Sequence, residues 1–100
     1  MSDESLTLIA LITVKPGTQE QVEKLIRDVV TPTRQEAGCL QYDFQRSTTD
    51  RTQYCAYERW LSPADLEAHF REPHLQEFVR GMGPLVVGTI DMRKFKLLRD

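Results

Sequence analysis

The run LTLIALITVK, residues 6–15, constrains the fold more than any other stretch. On a strand, Leu8, Ala10, Ile12 and Val14 point to one face, and Ile9 and Leu11 to the other. Both faces are apolar, so this strand belongs in the middle of a sheet and needs cover on both sides. A chain of 100 residues has few ways to supply that cover. Residues 1–100 read as one domain. A lone domain of this size buries only about 60–65% of its unfolded surface, so a partner subunit would help its stability.

The remaining patterns fall in a definite order. Pro16-Gly17 is a turn, and Thr18 is placed to cap a helix whose buried face is Val22, Leu25, Ile26, Val29 and Val30. Pro32 predicts a kink or a restart, and Gly38 suits the left-handed residue that closes a helix. CLQYDFQRS (39–47) and QYCAYERWL (53–61) alternate as two strands of a hairpin around a polar connection. Ser62, Pro63 and Asp65 mark the start of the next helix, with Leu66, His69 and Phe70 on one face. Pro73 interrupts it, and a second helical piece carries Phe78, Val79 and Met82 before Gly81, Gly83 and Pro84 end it. GTIDMRKFKLL (88–98) is the last strand.

The order β-α-β-β-α-β with right-handed crossovers predicts an α+β, ferredoxin-like fold: an antiparallel sheet in the order 4-1-3-2 with two helices on one face. The uncovered face would be closed most simply by the same face of a second subunit, so a homodimer through the sheet is expected.

Charge narrows the partners. Lys+Arg 13 against Asp+Glu 15 gives a formal charge of −2, with no basic stripe, which argues against nucleic acid or an anionic membrane as a partner. No stretch approaches the roughly 18 apolar residues that span a membrane, and no signal peptide is visible, so the cytoplasm is the expected location. Cys39 and Cys55 would lie roughly 20 Å apart on the hairpin, too far for a disulfide.

The hairpin and the following helix hold the candidate chemistry. A register that leaves 48–52 as the loop sets Tyr42 opposite Glu58 and Leu40 opposite Trp60. Tyr42, Phe44, Glu58 and Trp60 then share a face, toward which His69 projects from its helix. Pro73 offsets the axis so that His74 can start a turn looking into the same space. Each has a plainer reading: Trp60, Tyr42 and Phe44 as core, His69 as a hydrogen-bonded packing residue, His74 as a cap or a contact to a partner chain. Glu58 is the least comfortable as filler, because a buried bare carboxylate is costly and needs a raised pKa or a partner such as Tyr42, Arg59 or His69. No metal site is expected, since the two histidines lack one-turn spacing and no cysteine completes a set. There is no nucleophile elbow and no Gly-rich phosphate loop.

The stretches EAGCLQYDFQRS, YCAYERW and ADLEAHFREPHLQEF resemble the antibiotic biosynthesis monooxygenase (ABM) family over nearly the whole chain. The quinol monooxygenase-like branch looks closest. The resemblance implies a dimeric α+β barrel and a cofactor-independent monooxygenase that oxidises a quinol or similar aromatic, polyketide-like small molecule with O2, the substrate supplying the electrons. It implies His69 as base or oxygen-anchoring group and Glu58 as its orienter or the substrate's. Tyr42, Phe44, Trp60, Leu66 and Phe78 would bind substrate, with His74 as an outer polar contact. Haem-degrading relatives need an asparagine, and this chain has none. The His69, Pro73, His74 pattern also occurs in an isomerase of a phosphorylated signalling molecule. A proton-transfer enzyme and a non-catalytic dimeric binding module therefore stand beside the oxygenase, to be separated by oxygen consumption, by a cationic pocket mouth and by whether the space around Trp60 is filled.

Overall fold

A computed structural model describes residues 4–98. Its elements are β1 (Leu6–Thr13), α1 (Gln19–Arg34), β2 (Cys39–Arg46), β3 (Gln53–Trp60), α2 (Pro63–Phe70), α3 (Pro73–Met82) and β4 (Asp91–Phe95). The strands form one antiparallel sheet in the order β2-β3-β1-β4, the order expected for a ferredoxin-like α+β fold. β1 is central, and Leu8, Ala10 and Ile12 are buried under the helices beside Tyr54 and Ala56 of β3. The second apolar face of β1 is less covered: Leu11 is exposed, and Phe95 of β4, which pairs with Thr7, is exposed on that same open face.

The hairpin register holds where it matters most. Tyr42 lies opposite Glu58 and Phe44 opposite Ala56. Beyond Gln41 it fails by one residue: a bulge inserts Leu40, so Cys39 rather than Leu40 faces Trp60. The extra residue turns Leu40 out to solvent and lets β2 bend at its start.

Four local expectations are corrected. Pro32 does not restart the helix: α1 runs through it to Arg34. It sits in the last turn, where only one main-chain bond is forfeited, and the chain closes with tighter bonds from Gln35 N to Pro32 O (3.2 Å) and Glu36 N to Thr33 O (3.0 Å). Gly38 is not left-handed; only Gly17 and Gly88 have positive φ among the described residues. It is glycine because a Cβ there would overlap the side chain of Asp65. The Thr18 hydroxyl donates backward to Lys15 O at 2.6 Å instead of capping α1. Phe70, placed on one helix face with the buried Leu66 and His69, is exposed, as is Val79 of the second helical piece.

Ser62 does cap α2, accepting from Asp65 N at 3.2 Å while its hydroxyl donates to the Asp65 carboxylate at 2.8 Å. Pro73 opens α3 as its first residue, so the second helical region is two helices meeting at an elbow. No helix among the described residues is long and apolar enough to cross a membrane.

Candidate active site

Alternation along β3 turns Tyr54, Ala56, Glu58 and Trp60 toward the helices, and Tyr42 and Phe44 join them from β2. The buried face of α2 brings Leu66 and His69 down onto Trp60. The rings of His69 and Trp60 lie 4.6 Å apart at 34°, and Tyr42 meets His69 edge-on at 5.3 Å. Trp60 Nε1 donates to Glu58 Oε1 at 3.0 Å. Phe44 contacts Phe78 of α3 at 5.6 Å between ring centres, which ties the far end of the cluster to the third helix.

A residue not singled out from sequence organises the cluster. Glu36, in the short link after α1, places one carboxylate oxygen 2.8 Å from His69 Nδ1 and 2.7 Å from His74 Nε2. An ionised carboxylate only accepts, so both ring nitrogens are the protonated ones. His69 is thereby held with Nδ1–H toward Glu36 and, when neutral, its lone pair on Nε2. The signal available in the sequence was an acid two residues before Gly38, inside the family-like stretch EAGCLQYDF. Its partners are 33 and 38 positions away, beyond the reach of any local pattern. Of the partners offered for Glu58, none of Tyr42, Arg59 and His69 is its hydrogen-bond partner: Glu58 accepts from Trp60, and His69 is paired with Glu36.

Electrostatics follow from burial. Glu58 is 6% exposed, and desolvation pushes its carboxyl up to about 7 against the pull of the Trp60 N–H, with the Glu36 charge adding to the rise. Burial lowers His69 below the ordinary histidine value, while the Glu36 carboxylate works against that shift. Burial, then the charge of Glu58, raises the Tyr42 phenol far beyond its usual range.

The cluster is closely filled. Exposure is 0% at Trp60, 1% at Leu66 and His69, and 2% at Tyr42. Other candidate residues reach surface cavities. His74 and Phe78 line one of about 190 Å³ with Leu25, Asp28, Val29 and Glu77, and Phe44 lines one of about 230 Å³ with Glu23, Arg46 and Tyr54. Glu58, Trp60 and His69 line neither. Glu36, His69 and His74 offer three donor atoms within 4.8 Å of one another, a set that spacing along the chain had argued against.

A ferredoxin-like sheet whose hairpin carries a buried Tyr, Trp and Glu beneath a carboxylate-tethered histidine defines a small α+β domain with a candidate acid–base site. The chain belongs to the antibiotic biosynthesis monooxygenase family, whose family model matches residues 5–81. The structure of PA3566 from Pseudomonas aeruginosa is 38% identical, with a TM-score of 0.89 and 96% of each chain covered. A Mycobacterium tuberculosis protein named "Putative monooxygenase Rv0793" is 30% identical over 85% of this chain and 83% of its own length. An uncharacterized Synechocystis sp. protein is 28% identical over 96% of this chain, which spans 65% of that relative's length.

Proposed function

We propose that this chain is a cofactor-independent monooxygenase that oxidises a quinol or similar small aromatic or polyketide-like substrate with O2. The observation that carries the reading is the 2.8 Å contact of Glu36 with His69 Nδ1, which leaves Nε2 as a proton acceptor beside an aromatic cluster. His69 takes the phenolic proton. The resulting phenolate gives electrons to O2, one oxygen atom enters the ring carbon as a carbonyl, and the other leaves as water. The four electrons that O2 needs come from the substrate CH2 carbon of the keto tautomer, so the step balances without a further reductant. Glu58, held near 7, is part-protonated at neutral pH and can donate to a substrate oxygen. Tyr42, Phe44, Trp60, Leu66 and Phe78 bind the rings, and His74 steadies Glu36 from its other side.

His69 is 1% exposed, so the reading requires the α2–α3 elbow at Pro73 to swing and admit substrate. It also takes the protein as a homodimer closed over the open sheet face, where Leu11 and Phe95 are exposed. The test is oxygen uptake on a panel of hydroquinones, with metal and flavin assayed in the same sample. Uptake that is stimulated by substrate and lost in His69→Ala supports the proposal; no uptake on any member of the panel rejects it.

One observation favours a second reading, a non-catalytic binding module: the space around Trp60 is filled by Tyr42, Leu66 and His69. Saturable binding of hydroquinones without oxygen uptake would select it. Proton transfer on a phosphorylated metabolite draws less support. Arg34 is paired with Asp43 and Arg46 with Glu23, and the cavity at His74 carries Asp28 and Glu77 rather than cations.

A further inference from the structure

We infer that Glu36, His69 and His74 form a binding site for a divalent first-row transition metal ion of the zinc class. Three elements deliver the donors: the link after α1, the buried face of α2 and the first turn of α3. Two imidazole nitrogens and one carboxylate oxygen within 4.8 Å of one another make a two-histidine, one-carboxylate set, three of the four ligands that a tetrahedral ion takes.

Two of the three donor separations are close to what an ion needs. The nitrogens now stand 2.8 Å and 2.7 Å from one shared oxygen. A tetrahedral ion with ligands at about 2.0–2.1 Å sets its donors roughly 3.3 Å apart. Each nitrogen–oxygen separation must open by about half an ångström, and the two nitrogens, up to 4.8 Å apart, must close by about 1.5 Å, so the ion draws the two imidazoles toward each other by side-chain rotation. In the closed state, each histidine points a proton at the carboxylate. Binding moves each proton to the opposite ring nitrogen, so the ion replaces two hydrogen bonds with three coordinate bonds, and the Glu36 carboxylate offsets one of its two charges.

The surroundings favour a cation over competing ligands. His69 is buried and His74 is partly exposed, so the site has a fixed inner ligand and an outer one reachable from solvent. His74 lines the cavity that also holds Asp28 and Glu77, and the Glu72 carboxylate lies 4.0 Å from His74 Nδ1. A side-chain rotation that closes that separation by about an ångström would let the second carboxylate accept the relocated proton of His74, the outer support that metal-bound histidines usually have. Two nitrogens in three donors select zinc, cobalt or ferrous iron, and select against magnesium and calcium, which require oxygen ligands.

A consequence rests on the function proposed above. If His69 Nε2 is the base, an ion on Nδ1 puts the proton on Nε2 and silences it, so zinc would inhibit. The binding itself does not depend on that reading and is measured without turnover.

The experiment is a Co²⁺ titration of the purified, chelator-treated full chain, followed by its visible ligand-field bands, with Zn²⁺ as competitor. The expected result is saturation at one ion per chain, displacement by Zn²⁺, no response to Mg²⁺, and affinity at least about 100-fold lower in both His74→Ala and Glu36→Gln, since losing even an outer support costs about 10–100-fold. Circular dichroism of each variant beforehand confirms its fold, and the wild-type titration decides the matter if a variant does not fold. Absence of saturable bands in the wild type, or equal affinity in folded variants, overturns the site. Metal binding without hydroquinone oxidation leaves this inference standing and removes only the catalytic one.

Discussion

Glu36 and His69 meet at 2.8 Å although 33 positions separate them, and this contact joins the end of α1 to the buried face of α2. The same carboxylate oxygen reaches His74 at 2.7 Å, so one side chain sets both histidines on either side of the Pro73 elbow. A charge-assisted bond of this kind is worth about 1.5–3 kcal/mol, and losing one partner leaves a largely buried group unsatisfied. The pair is therefore both a structural tie and, in the proposed reaction, the device that fixes which nitrogen accepts a proton.

His69→Ala should lower turnover by about 10²-fold or more, the usual size for a lost acid–base group. Because His69 packs against Trp60, the alanine variant also opens a small void, and His69→Gln serves as the control that keeps most of the volume. Steady-state oxygen uptake measures both. Activity of His69→Gln close to that of the wild type would remove the base role while leaving the packing role.

Glu36→Gln should shift the pH dependence of kcat/KM. The Glu36 charge raises His69 against the lowering by burial, so neutralising it lets His69 fall further. The acidic limb of the pH profile should move to lower pH, while kcat falls because the ring orientation is less firmly held. An unmoved limb would mean that His69 does not titrate in the reaction.

Glu58→Gln should change the dependence of stability on pH. Burial raises Glu58 from 4.5 to about 7, so the folded state binds its proton more tightly than the unfolded chain does. Relative stability from this group is full below about 4.5 and is lost as pH rises through about 7. Glutamine removes the ionisation and can still accept from Trp60 Nε1, so the variant should gain on the wild type progressively over that range. By pH 8 the gain should be on the order of 3 kcal/mol, read by urea unfolding at pH 5 and pH 8. Identical pH trends in the two proteins would show that Glu58 titrates normally.

Gly38→Ala should destabilise by about 1–3 kcal/mol, the usual range for overpacking. The added methyl would meet the Asp65 side chain, which is engaged with the Ser62 cap of α2. Asp65→Gly, which removes the Cβ as well, combined with Gly38→Ala should recover part of the loss, and a double-mutant cycle by thermal unfolding measures the coupling. Full additivity would contradict the close approach.

The legible part of this protein was its alternation. The two-faced apolar run of β1, the hairpin alternation that sets Tyr42 against Glu58, and the Ser62-Pro63 start of α2 are local signals with direct physical causes. They carried the strand order and the grouping of Tyr42, Phe44, Glu58 and Trp60. The Leu40 bulge escaped because one inserted residue leaves no mark on a period-2 pattern other than a glycine nearby. Gly38 was misread because a glycine required by close approach looks the same in sequence as one required by positive φ. Glu36 escaped for a deeper reason. An acid just past a helix looks like a solvated residue until three separate elements fold together around it. For the same reason, spacing between His69 and His74 said little about whether they could share a ligand: the third donor came from the link after α1, 33 positions before His69 in sequence.

The most direct measurement is single-turnover oxidation of a hydroquinone under isotopically heavy O2, with mass analysis of the product. The account predicts one heavy oxygen atom in the product, the other in water, and loss of incorporation in His69→Ala. Product without heavy oxygen, or equal incorporation in the wild type and His69→Ala, would contradict it.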